Sequence, residues 1–275
     1  MTDVSDPPGP VFDLAGYLAR IGHGAPVLAD LATLRAIHRA HAASIPYENL
    51  DIQMGLPISI ELDQIFAKLV GRRRGGYCFE QNLLFFAALK SVGFDVSRRM
   101  ARVTMGNDPG GRSHLMLLVR VDGRTYIADV GFGGSCLSEP LALAAGEYEG
   151  GGDRWRVRPS AWSPGWEVEI WRDGAWLGLY WFSDDPVVDM DIVFGNHFTS
   201  THPASRFVLG RIAARVTPTE RHTLLDRLYR RRVNGVLVEE VEIPDEGAYR
   251  HILRDRFLID LPDGAALKPI DGIAR

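Results

Sequence analysis

The sequence predicts an α+β fold, with helices in the first third of the chain and an antiparallel β unit after them. Two observations carry that reading. Apolar residues recur at helical spacing up to about residue 92, and from Val96 the pattern changes to short alternating or β-branched runs broken by Gly, Asp and Pro. A third supports it: Asp122-Gly123, Asp173-Gly174 and Asn234-Gly235 each lie between apolar runs, where such dipeptides favour two-residue hairpin turns.

After a proline-rich start, residues 11–19 read as a short helix and residues 28–43 as a second, ended by Ile45-Pro46. Residues 63–70 form a third. A turn at Gly75-Gly76 precedes residues 77–92, which are apolar nearly all round and predict a buried helix ended by Gly93. Strands are expected over 98–105, 114–121, 125–130, 154–158, 166–172 and 175–181, with 146–152 as a flexible surface loop. Trp162, Trp166, Trp171, Trp176 and Trp181 are read as aromatic packing in a barrel. The last part mixes a strand over 236–243 with a helix over 246–257, capped by Asp245 after Pro244. The expected organisation is a helical unit at 1–95, a β-barrel at 96–205 and an α/β lid at 206–275.

The chain has 275 residues, 46% hydrophobic and 24% charged, the composition of an ordinary globular protein. A net charge of −4 argues against nucleic acid or an anionic membrane as partner. The arginine runs at 72–74 and 230–232 read as surface charge or structural ion pairs, with phosphate contact as the minority reading. The first ten residues lack the basic and apolar regions of a signal peptide, and no run approaches the ~18 apolar residues of a membrane span. With two cysteines in the chain, free thiols in a reducing compartment, the cytoplasm, are expected.

Cys78 follows Gly-Gly-Tyr at the start of a helix, where unpaired amides and the helix dipole favour a thiolate; buried core is the other reading of a lone cysteine. If Asp122-Gly123 is a two-residue turn, cross-strand partners sum to 245. His114 would then face Gly131, and Met116 would face Asp129. His114 and Asp129 fall on one face as diagonal neighbours, within reach of a hydrogen bond unless a bulge intervenes. A helix-start cysteine, a histidine and an aspartate so placed are what a Cys–His–Asp nucleophilic relay requires. Histidine takes the thiol proton, the carboxylate orients the ring, and the thiolate attacks a carbonyl carbon. A zinc site from the same side chains lacks a fourth ligand and any CxxC, HxH or HExxH spacing. Gly131-Phe132-Gly133-Gly134 lacks the lysine and spacing of a phosphate loop; its glycines read as close backbone approach to a substrate or as a tight turn.

These residues lie in segments that resemble the arylamine N-acetyltransferase family. The segments are Arg74-Gly75-Gly76-Tyr77-Cys78-Phe79-Glu80-Gln81-Asn82, Ser113-His114-Leu115-Met116-Leu117 and Asp129-Val130-Gly131-Phe132-Gly133. Two more are Ile45-Pro46-Tyr47-Glu48-Asn49-Leu50 and Asn196-His197-Phe198-Thr199-Ser200-Thr201-His202-Pro203. The resemblance implies a cysteine-protease-like (transglutaminase-like) core with a helical domain, an antiparallel barrel and an α/β lid. It implies a ping-pong reaction in which acetyl-CoA acetylates Cys78 and an arylamine, arylhydrazine or arylhydroxylamine takes the acetyl group, with no bound cofactor or metal. His114 and Asp129 match the other two catalytic positions. Phe132, Gly133, Ser113 and Thr104 are expected near the acceptor, Thr201, His202, Ser205 and Phe207 at the CoA cleft, and Glu48 with Arg74 as a structural salt bridge. Ser113 stands where many relatives carry threonine or an aliphatic residue. An amide synthase of polyketide biosynthesis with the same triad, a thiol amidase and a non-enzymatic binding module are the alternatives. Natural acceptor, donor length and oligomeric state stay open.

Overall fold

A computed structural model describes residues 12–107 and 109–270 of the chain. The leading segment read as lacking a signal peptide, and the proposed helix start at Val11, lie outside the described residues. Helix α1 spans Leu14–Ile21, with the Asp13 carboxylate accepting from the Gly16 amide at 2.8 Å. Helix α2 spans Leu31–Ser44 and starts three residues later than expected, because Asp30 caps it by accepting from Thr33 N at 2.7 Å. A short strand β1 (Tyr47–Glu48) and a single turn α3 (Leu50–Gln53) follow. Helix α4 (Leu62–Phe66) then runs into a π-helical turn, Ala67–Gly71. Helix α5 covers Cys78–Val92 and stops at Gly93, whose φ of 102° is left-handed. Leu84, Phe85, Ala88 and Leu89 bury this helix against α1 and α2 on one side and the sheet on the other.

Eight antiparallel strands form one sheet in the order β5-β4-β3-β2-β9-β8-β7-β6. Their ranges are β2 Asp95–Val103, β3 Arg112–Val121, β4 Arg124–Ala128, β5 Leu141–Ala142, β6 Gly146–Gly150, β7 Asp153–Pro159, β8 Trp166–Arg172 and β9 Ala175–Phe182. Side chains from both ends of this order meet in one core: Leu141 of β5 joins Met116, Leu118, Trp155, Val168 and Tyr180, so the sheet curls into a nearly closed barrel. The three hairpin dipeptides turn as expected, with positive φ at both residues: 50° and 73° at Asp122-Gly123, 48° and 91° at Asp173-Gly174, 47° and 79° at Asn234-Gly235.

Two expectations in this region are corrected. Residues 146–152 are not a loop; Gly146–Gly150 is a strand paired with β7, and only Gly151 and Gly152 make the turn. The flanking glycines masked a Glu-Tyr-Glu strand. The barrel interior takes Trp155, which is fully buried, while Trp162 is 52% exposed. Trp171 and Trp176 pair edge to face on the outside beneath the Arg154 and Arg156 guanidiniums.

The chain then forms helix α6 (Asp189–Thr201), the single turn α7 (Arg206–Leu209) and a second sheet of order β1-β10-β11-β12-β13. Its later strands are Ile212–Val216, Glu220–Leu225, Leu228–Val233 and Val236–Glu242. Helix α8 (Glu246–Phe257), capped by Asp245, packs Tyr249, Leu253 and Phe257 onto that sheet. The sequence reading found β13 and α8 but missed β10 to β12 and α6. The β11–β12 turn uses Asp226 at φ 51° with no glycine, and α6 exposes Phe194 and Phe198, so its apolar pattern marks no single buried face. Tyr47↔Ala214 pairing ties this sheet back to the helical third.

Candidate active site

The segment before α5 is held by buried charge. Arg74 Nη2 lies 2.7 Å from Glu48 Oε1 and 3.0 Å from Asp51 Oδ1, which is the expected Glu48–Arg74 pair with a further member. Lys68 Nζ, from the π-helical turn, bridges Asp51 Oδ2 at 2.7 Å and Glu80 Oε1 at 2.8 Å. The other Glu80 oxygen accepts from Tyr77 N at 3.1 Å, fixing the first turn of α5. Burial raises the Glu80 pKa against the opposing effect of Lys68. Gly75 is required here, because a Cβ would sit 2.2 Å from the Pro46 carbonyl oxygen.

Behind Cys78 a neutral network sets the loop. Gln81 Nε2 donates to the carbonyls of Pro46 (2.7 Å) and Gly76 (3.2 Å), so its Oε1 must accept from His41 Nε2 at 2.7 Å. His41 Nδ1 is thereby left to accept from the Tyr17 hydroxyl at 2.9 Å. Burial holds the His41 pKa down at about 3.

The β3–β4 ladder keeps the inferred register, Val121↔Arg124 to Leu117↔Ala128. It stops there, so the continuations Met116–Asp129 and His114–Gly131 are not ladder pairs. The bulge that exists, at Ala101/Arg102, lies between β2 and β3 and leaves the His114–Asp129 relation intact. His114 Nε2 donates to Asp129 Oδ2 at 2.8 Å, and both residues are almost wholly buried. Asp129 Oδ1 accepts from Gly131 N (2.9 Å) and Asn82 Nδ2 (3.0 Å). Burial alone would raise the Asp129 pKa; the His114 charge and these hydrogen bonds bring it below the ordinary carboxylate range. Burial opposes protonation of His114 too, but Asp129 and the neighbouring Cys78 thiol push its pKa up to about 10.

Cys78 begins α5 with its Sγ 3.9 Å from the Ser113 carbonyl oxygen and in contact with the His114 ring. Gly131 lets the loop after β4 close on it, since a Cβ there would come within 2.9 Å of Cys78 Cα. Phe132 and Tyr180 pack on the His114 ring at 4.8 and 5.2 Å. The second cysteine, Cys136, is buried with its Sγ 3.4 Å from the Asp129 carbonyl oxygen, and burial raises its pKa to about 12.

A cavity of about 490 Å³ opens from Cys78 and His114. Of the residues expected near an acceptor, Ser113, Phe132 and Gly133 line it. Thr104 does not: Val103 and Met105 line the wall, while Thr104 sits against Gly178 of β9. Of those expected at a donor cleft, Ser205 and Phe207 line the same cavity. Thr201 and His202 do not. Thr201 Oγ1 donates to its own helix at His197 O (2.6 Å), and His202 stacks on Phe198 at 4.5 Å. The Tyr77 hydroxyl donates to Asn196 Oδ1 and so anchors α6 beside the site. Sequence reasoning assigned no role to Tyr47 or Asn82, although both stood in the quoted segments. Their contacts come from β10 and β4, which are remote in the chain. Among the described residues, no group of three or more His, Cys, Asp or Glu side chains is arranged to hold a metal ion.

A family model described as N-acetyltransferase matches residues 30–266. The arylamine N-acetyltransferase of Mycolicibacterium smegmatis is 38% identical over 262 residues, covering 91% of this chain and 93% of that protein. That of Escherichia coli K12 is 31% identical, covering 94% and 92%. The solved arylamine N-acetyltransferase of Salmonella typhimurium superposes with a TM-score of 0.86 at 30% identity, covering 93% of this chain and 94% of that one. The Mycobacterium marinum enzyme, solved in complex with CoA, gives 0.84 at 35% identity, covering 90% and 93%.

Proposed function

The chain belongs to the arylamine N-acetyltransferase family and is an acyltransferase, and from that premise we propose that it moves an acetyl group from acetyl-CoA to an arylamine, arylhydrazine or arylhydroxylamine through a thioester on Cys78. The observation that carries this reading is the 2.8 Å His114–Asp129 hydrogen bond, with the Cys78 thiol against the same ring at the cavity.

With Nε2–H committed to Asp129, His114 Nδ1 is the atom that exchanges a proton with sulfur. The Cys78 thiolate attacks the acetyl carbonyl carbon, the C–S bond to CoA breaks, and the leaving CoA sulfur takes the proton from His114. In the second half the amine nitrogen attacks the Cys78 thioester, His114 accepts its proton, and the enzyme thiolate departs. Asp129 keeps the ring in one tautomer and stabilises its cationic form. Cys78 at the helix N-terminus gains from the backbone dipole. Phe132, Ser113 and Gly133 are assigned to the acceptor, Ser205 and Phe207 to the donor.

We assign the nucleophile to a helical unit at 1–95, His114 and Asp129 to a barrel unit at 96–205, and the cover to 206–275. Both cysteines are free, which suits the cytoplasm. No helix of the described residues is long and apolar enough to cross a membrane.

The test is incubation with acetyl-CoA in the absence of acceptor, following CoA release and locating the acetyl group by mass spectrometry. One acetyl on Cys78 that discharges onto an aromatic amine is the expected result. A Cys78 that alkylates readily yet never becomes acetylated would overturn the donor assignment. Discharge to water faster than to any amine would favour an amidase.

A further inference from the structure

The cavity that opens at Cys78 is lined at its other end by arginines. Arg172, Arg206, Arg221, Arg230 and Arg232 border it, and no aspartate or glutamate does, in a chain whose net charge is −4. Two of them are set by strand register. In the β11–β12 ladder Arg221 stands directly opposite Arg232, and Thr223 opposite Arg230. Side chains alternate along a strand, so Arg221, Thr223, Arg230 and Arg232 share the face that looks into the cavity. Like charges directly opposite on one face destabilise a sheet. Fold stability therefore does not account for this pairing.

Neighbouring carboxylates answer it only in part. Asp153 accepts from Arg172 Nη1 and Arg221 Nε, each at 2.5 Å, so one carboxylate serves two guanidiniums. Arg232 pairs with Asp173 (3.1 Å) and Arg230 with Glu240 (2.6 Å). Four guanidiniums thus face three carboxylates, and Arg206 makes no ion pair with a described residue. Arg221 also donates to the carbonyls of Gly134 (3.1 Å) and Cys136 (2.8 Å), which join this end to the Phe132 loop beside His114. The Nη2 groups of Arg172 and Arg221 are buried without a hydrogen-bond partner. Uncompensated buried donors and surplus charge beside a cavity call for an anion.

We propose that this arginine-lined end is the subsite for the phosphate groups of the acyl donor, a deepening that rests on the acetyl-CoA reading above. The donor must place its thioester at Cys78 and carry its phosphates a pantetheine length away. Several guanidiniums on one face suit such a polyanion better than they suit one acceptor carboxylate. The exposed heads of Arg230 and Arg232 would meet the phosphates, while the buried Arg172–Arg221 pair supplies positive potential behind them.

The experiment compares acetyl-CoA with acetyl-pantetheine, a thioester without phosphate, using aniline as acceptor in the wild type and in the double variant Arg230→Gln/Arg232→Gln. The ratio of kcat/KM values, acetyl-CoA over acetyl-pantetheine, is expected to fall about tenfold or more in the variant, carried by KM. Lysine at both positions should restore part of it. Adenosine 3′,5′-bisphosphate should inhibit the wild type competitively against acetyl-CoA, more weakly at high salt, and inhibit the variant far less. An unchanged ratio, or inhibition that the variant does not weaken, overturns the proposal. So does a variant whose preference for 4-aminobenzoate over aniline falls while its donor ratio stays, because the arginines would then serve the acceptor. A wild type that uses neither thioester refutes the acetyl-transfer reading instead.

Discussion

Asn82 Nδ2 lies 3.0 Å from Asp129 Oδ1, so the helix that begins with Cys78 also holds the carboxylate that orients His114. Asn82 is one turn beyond Cys78, on the same side of α5. Its amide also donates to Leu115 O at 2.7 Å, and its oxygen accepts from Val130 N at 3.2 Å. One side chain thus ties α5, β3 and the loop after β4 together. Asn82→Ala leaves Asp129 short of a donor in a buried site, which costs about 1–3 kcal/mol. If that cost falls on the oriented state of Asp129, kcat drops by roughly ten- to a hundredfold, at 1.4 kcal/mol per decade. The acetylation rate of Cys78, measured beside the melting temperature, checks this. A lower melting temperature with unchanged kcat would reduce Asn82 to packing.

Acid should unfold the protein through its buried histidines. Burial lowers the His38 pKa to about 4 and the His41 pKa to about 3, from 6.5 in the unfolded chain. The His38 ring lies near the Asp129 carbonyl but forms no hydrogen bond of normal geometry. Below pH 6.5 the unfolded state binds protons that the folded state refuses, so stability falls as pH falls. Two such groups give a slope of up to about 2.7 kcal/mol per pH unit between roughly pH 6 and 4. Urea titrations over that range should show it, and His38→Phe should remove about half of the slope. A slope that is the same in both proteins would contradict the assignment.

Lys68 is a second point of sensitivity. It neutralises Asp51 and Glu80 at 2.7 and 2.8 Å, and Glu80 in turn holds the Tyr77 amide. Lys68→Met strands two buried carboxylates and is expected to cost about 3–5 kcal/mol, the usual result of breaking a buried pair from one side. Denaturant midpoints measure this directly. A loss below about 1 kcal/mol would mean that water reaches the network, as at a surface pair.

The two thiols should differ sharply in alkylation. Burial places the Cys136 pKa at about 12, whereas Cys78 opens on the cavity beside His114. Native protein at pH 7 should take one iodoacetamide adduct, on Cys78, and a second only after unfolding. Mass spectrometry of tryptic peptides distinguishes the sites, and rapid native labelling of Cys136 would refute its burial.

Local chemistry alone determined much of this molecule. The helix over 78–92 with its left-handed Gly93, the three hairpins with positive φ at both turn residues, and the β3–β4 register follow from steric rules that act within a few residues. Because the register propagates along the hairpin, it also brought His114 and Asp129 to one face before any tertiary contact was considered. The tertiary structure decided everything that depends on what lies opposite. Thr104 faces Gly178 while Val103 and Met105 reach the cavity, because β9 covers one side of β2. Thr201 and His202 satisfy themselves within α6 and its end instead of reaching the site. Strands β10 to β12 escaped notice because their alternate positions carry arginines, and these face a cavity that exists only once β1 pairs with β10 and the barrel lies against β11. A polar residue aimed into a cavity has the same local pattern as one aimed at solvent, and only the packed chain separates the two.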